Sequence, residues 1–152
     1  MDSLTLKSGA FEHRDIIPRK YGYKNGNHSP PLDIAGVPSN AKSLVIIMDD
    51  PDAMGAVGKV WTHWVLWNID PTSTIREDSV PSDCLAGLTD FGETGYGGPA
   101  PPDKEHTYVF KLYALDQRLD AKSGSTKQEI ESTMSGHVIA EARLEGRYSP
   151  QV

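Results

Sequence analysis

Two histidines, a carboxylate-rich turn and a glycine–proline run are the parts of this chain that could do chemistry. Asp49-Asp50-Pro51-Asp52 places carboxylates directly after an apolar run, and His63 stands between Thr62 and Trp64. Gly95-Tyr96-Gly97-Gly98-Pro99-Ala100-Pro101-Pro102 leads shortly into His106-Thr107-Tyr108. Glycines leave backbone amides uncovered, and prolines fix the path of the chain. An imidazolium beside such amides can hold a small anion by charge-assisted hydrogen bonds. Burial lowers a histidine's pKa and a facing carboxylate raises it. One of Asp50 and Asp52 is therefore expected to orient a histidine through its second ring nitrogen. The other is expected to face a turn amide, or to meet the anion only when protonated. Each part also has a plainer reading: a solvated Asp/Pro turn, a satisfied core histidine, a rigid linker.

Catalysis would need a nucleophile or an activated water as well as a base. No Gly-x-Ser-x-Gly elbow occurs, and Cys84 carries no signature that pairs it with a histidine. Close metal-ligand spacings such as His-x-His are absent, so no metal is expected. Gly95-x-Gly97 is followed by prolines and a strand pattern, not by a helix, so it is no dinucleotide fingerprint. Asp90-Phe91-Gly92 has none of the companion motifs of a kinase. No cofactor is expected.

The elements that must position these residues are mostly strands. Leu4 and Leu6 alternate with polar neighbours, and a long segment broken by Pro18, Gly22, Gly26, Pro30, Pro31, Gly36 and Pro38 follows. Ser43 to Asp49 reads as a strand buried on both faces. In the next strand, alternation groups Trp61, His63, Val65, Trp67 and Ile69 against Thr62, Trp64, Leu66 and Asn68. After the glycine loop, His106, Tyr108, Phe110 and Leu112 share a face. Thr126-Lys127-Gln128-Glu129 has the form of a capping box. Ile130, Met134 and Val138 follow at helical spacing, predicting a helix to about Ala142 with His137 near its apolar stripe. A last weak strand spans Leu144 to Tyr148. Many strands and one late helix indicate a mostly β chain, an antiparallel β-sandwich or a barrel.

Composition narrows the partners. The chain has 152 residues, the length of one domain (residues 1–152), with 38% hydrophobic and 24% charged residues. Its net charge of −6 argues against a nucleic-acid partner held by bulk attraction, so any anion site must be local. A single cysteine rules out an intrachain disulfide, and no apolar run is long enough to span a bilayer. A cytoplasmic protein is expected.

Asp50-Pro51-Asp52-Ala53, Thr62-His63-Trp64, Gly97 to Pro102 and His106-Thr107-Tyr108, in this order, resemble the phosphatidylethanolamine-binding protein family. The closer likeness is to its bacterial and archaeal branch, the Raf kinase inhibitor-like proteins, and it covers essentially the whole chain. The resemblance implies two antiparallel sheets packed face to face, a helix near the C-terminus and a small pocket for phosphate-like or carboxylate anions. By motif position, Asp50, Asp52, His63, Pro99, His106 and Tyr108 would line that pocket, and Gly98 would lie in the loop that supplies amides. Met54 stands where the family usually has proline, which implies a looser or partly covered lip.

Three functions follow as expectations. The leading one is a non-catalytic, regulatory binding protein for an anionic or phosphorylated group on a small molecule, a lipid headgroup or a phosphoprotein. The second is a protease or kinase inhibitor acting through a surface loop, residues 18–38 or 71–94. The third is a hydrolase using His63 or His106 as base. Aromatic residues on strand faces would also allow a homodimer. All pocket readings require the two imidazoles to converge, within about a Debye length of roughly 10 Å.

Overall fold

The computed structural model describes residues 3–72 and 74–150, so Ser73 in the 71–94 connection lies outside the described residues. β4 (Ser43–Asp50) is buried at every position, as a run of aliphatic residues at the centre of a sheet must be. It pairs antiparallel with β5 (Trp61–Ile69) on one side and β7 (His106–Leu115) on the other. Beyond β7 come β8 (Val138–Tyr148) and the short β2 (Asp15–Ile16), and beyond β5 comes β6 (Leu85–Ala86). This six-stranded sheet is antiparallel except at its edge, where β2 runs parallel to β8. A second sheet pairs β1 (Thr5–Lys7) with β3 (Asp33–Ala35).

The two faces of the large sheet bury different partners. On one, Ile46, Met48, Trp64, Leu66, Phe110 and Leu112 pack against Leu6, Phe11 and Leu32 from the small sheet and its connections. This is the sandwich that the strand pattern anticipates. On the other, Val45, Ile47, Val65 and Trp67 meet Ile130 and Met134 of α2 (Lys127–Met134). Ile130 is fully buried there, a contribution of about 1.5–3 kcal/mol. The capping box is present: the Thr126 hydroxyl accepts from the Glu129 amide, and Glu129 Oε1 accepts from the Thr126 amide. Asp49 points to this face, where its Oδ2 accepts from Lys111 Nζ at 3.1 Å and Lys127 Nζ at 2.8 Å, tying α2 to the sheet.

Three local expectations need correction. The late helix stops at Met134, because Gly136 adopts φ 83° and turns the chain directly into β8. His137 therefore lies beyond the helix, with Nδ1 2.9 Å from Asp116 Oδ1. A second, five-residue helix, α1 (Ala53–Val57), follows the Asp/Pro turn. The alternation of β5 is broken twice. Asn68 takes φ 57° near one register shift, which moves Ile69 onto the core of Trp64 and Leu66. Near the other, Met48 faces Trp64 but Asp49 faces Thr62, leaving His63 as the extra residue of a bulge.

Candidate functional site

That bulge matters because an extra residue re-aims its side chain. His63 does not join Val65 and Trp67. Its ring packs edge-on against Tyr108, with centroids 5.2 Å apart, and edge-on against Phe91 at 5.4 Å. The ring of His106 lies 6.3 Å from the same Tyr108. The two imidazoles, 43 positions apart in the sequence numbering (63 to 106), thus flank one phenol and line one cavity of about 120 Å³. Asp50 completes its polar part. The remaining wall is apolar: Ala53, Ala56 and Val57 of α1, with Trp61, Phe91 and Pro102.

His106 is fully buried, and both of its ring nitrogens are engaged. Nδ1 lies 2.6 Å from Asp50 Oδ2, and Nε2 lies 2.7 Å from Asp103 Oδ1. Two carboxylates can be served at once only by a ring that donates from both nitrogens, the imidazolium. Burial alone would lower the His106 pKa, but the hydrogen bonds and charges of Asp50 and Asp103 hold it above its ordinary value. Asp103, in turn, is pulled below the ordinary carboxylate range by its hydrogen bond to His106. Asp50 Oδ1 also accepts from the Ala53 amide at 3.2 Å, so one carboxylate both orients His106 and starts α1.

His63 is the opposite case. Burial pushes its pKa below the ordinary value, offset in part by the Gly97 carbonyl and the charge of Asp50. Its Nδ1 lies 2.7 Å from the Gly97 carbonyl, so Nδ1 carries the proton and donates. In the neutral ring, Nε2 is left as an acceptor. The site therefore holds one charged and one neutral imidazole.

The other residues singled out in the sequence are placed less directly. Asp52 turns away, and its Oδ2 accepts from the Thr107 amide at 2.8 Å, the turn-amide role considered for one of the two aspartates. Tyr108 lies behind the cavity, with its hydroxyl buried beside Asp50 and without a completed hydrogen bond. Burial and the Asp50 charge raise its pKa far above that of an ordinary phenol.

The amides of Gly97 and Gly98 are not bare. The Gly97 amide donates to the His63 carbonyl and the Gly98 amide to Asn27 Oδ1, while the Pro99 carbonyl accepts from the Tyr23 amide. The glycines serve close packing instead. A Cβ at Gly98 would stand 2.0 Å from the Tyr21 carbonyl oxygen, and one at Gly97 would stand 2.4 Å from the Phe91 ring. The lip is formed by Ala53, Ala56 and Val57, and Met54 is exposed on α1 away from the cavity lining.

Sequence reasoning missed Asp103, Trp61 and Phe91 as parts of the site. Asp103 stands three residues before His106, the only signal it gave. Phe91 belongs to a long connection, anchored where Asp90 Oδ2 accepts from the Thr62 amide at 2.7 Å.

A two-layer β fold thus carries, at one end of its large sheet, a small cavity built from buried imidazoles and an apolar collar. The family model described as phosphatidylethanolamine-binding protein matches residues 7–149, and the chain belongs to that family. It is 47% identical over 151 residues to a UPF0098 protein of Methanothermobacter thermautotrophicus, covering 95% of this chain and 98% of the relative. Among solved structures, it is similar to a phosphatidylethanolamine-binding protein homologue of Chlamydia trachomatis, with TM-score 0.92 and 39% identity, covering 99% of this chain and 100% of the other. YbcL of Escherichia coli, described as a member of the mammalian family, superposes with TM-score 0.89 at 29% identity, covering 97% and 99% of the two chains. Among the described residues no helix is long and apolar enough to cross a membrane.

Proposed function

We propose that this protein binds, without transforming it, a ligand that carries a phosphate-like or carboxylate anion next to an apolar group, and acts by sequestering it. The observation that carries this reading is the buried His106 imidazolium at the polar end of the cavity, with neutral His63 beside it. A fixed cation in a site of low dielectric attracts an anion far more strongly than one in water. The surrounding collar of Ala53, Val57, Trp61 and Phe91 suits the organic part of a phosphomonoester better than bare inorganic phosphate. His106 is the residue we assign to holding the anion; His63 lines the cavity beside it, and Asp50 orients His106. Tyr108, Asp52 and the Gly98–Pro99 stretch position them.

Calorimetric titration with methyl phosphate tests this reading. The wild-type chain should bind, and the His63→Ala/His106→Ala double variant should lose binding by about a hundredfold. Unchanged affinity in the double variant would move the function onto the loops.

A further inference from the structure

A ligand anion entering this cavity meets a difficulty: His106 has no free donor. Its Nδ1 is bonded to Asp50, whose side chain is 5% exposed and also holds the Ala53 amide. Its Nε2 is bonded to Asp103, whose side chain is 42% exposed and which sits among the exposed residues 102–105. Of the two carboxylates, Asp103 is the one that can leave. It has water to move into and, among the described residues, no side-chain partner but His106 beside the amides of its own turn, whereas displacing Asp50 would strip α1 of its first support as well.

We infer that Asp103 is the specificity-determining residue of the pocket: its carboxylate occupies the ligand's place on His106 and admits only anions that outcompete a tethered carboxylate. This rests on the pocket reading above. A free carboxylate such as acetate brings the same single charge and the same two oxygens as Asp103. It would trade like for like against a group held three residues away, at high effective concentration. A phosphomonoester brings nearly two charges and three strong acceptor oxygens near neutral pH, so it gains on the exchange. The other groups that face this exchange are Asp50 from the end of β4, neutral His63 from β5 and the Tyr108 hydroxyl from β7; on the loop itself Lys104 and Glu105 follow Asp103, and the Glu105 carboxylate is paired with Arg147. None of the carboxylates among them helps an anion in, which sharpens the demand for a strong acceptor.

The test compares methyl phosphate with acetate as probes, read from the side-chain NMR signals of His63 and His106. It uses wild type, Asp103→Ala and Asp103→Asn. Residue 103 is on the surface, so both variants should keep the fold, checked by thermal melting. Wild type should prefer methyl phosphate over acetate by at least about tenfold. Asp103→Ala should bind acetate about tenfold more tightly and shrink that preference, with Asp103→Asn between the two. An unchanged preference in both variants, with methyl phosphate still bound, overturns the role of Asp103 and leaves the pocket reading standing. If methyl phosphate perturbs neither histidine in any of the three proteins, the pocket reading falls and this inference falls with it.

Discussion

Asp50 Oδ2 lies 2.6 Å from Nδ1 of His106, joining the last residue of β4 to the first residue of β7. The contact closes the end of the sheet and holds a positive charge inside it. Removing one partner of a buried pair leaves the other unpaired, which costs more than the pair contributes. Asp50→Asn should therefore destabilise the fold by about 2–4 kcal/mol and lower the His106 pKa. Urea unfolding measures the first effect; a loss within error of zero would mean that Asp50 is not supporting the ring.

The two imidazoles should titrate in opposite directions from the free value of about 6.5. His106 should lose its proton above it and His63 below it. The signs for stability follow by linkage. The contribution of His106 is fully present below its unfolded pKa and is lost as pH rises through its raised folded value. The contribution of His63 is present above its unfolded pKa and is lost as pH falls through its depressed folded value. Ring-proton NMR titration gives both midpoints, and coincident values would contradict the assignment of one charged and one neutral ring.

Asn68 takes φ 57° and bonds Leu119 twice, with its Nδ2 donating to the carbonyl at 2.9 Å and its Oδ1 accepting from the amide at 2.7 Å. Asn68→Ala keeps the strained backbone and abandons both partners. A loss of about 3 kcal/mol is expected in chemical denaturation. Binding at the far end of β5 should change little.

Trp61 and Phe91 meet edge-on, with centroids 5.6 Å apart, on the apolar wall. Trp61→Ala should weaken binding of phenyl phosphate by about fivefold, roughly 1 kcal/mol, and leave methyl phosphate nearly unaffected. Equal losses for both ligands would place the organic group outside the collar.

The strands carrying the site were legible because their composition is decisive. The aliphatic run of Val45 to Met48 has no other home than a sheet interior, and His106, Tyr108 and Phe110 alternate without interruption. The aim of His63 was not legible, since a bulge depends on cross-strand register, and the sequence pattern of β5 alternates smoothly through it. The loop was misread for a related reason. Glycines at 97 and 98 suggest free amides, but whether an amide is free depends on Asn27 and on the path of residues 21–23, which no local pattern encodes. The end of α2 at Met134 was hidden because Val138 continues the helical spacing although it begins a strand. Asp103 carries no local signal beyond its spacing from His106, and only its geometry to that ring distinguishes it.

Binding at the paired imidazoles is tested most directly by following all five histidines during one titration with methyl phosphate. His13, His28 and His137 lie outside the cavity lining and serve as internal references. The signals of His63 and His106 should move together with a single dissociation constant while the other three stay still. Movement confined to His13, His28 or His137, or no movement at any of the five, would contradict an anion site at the end of the sheet.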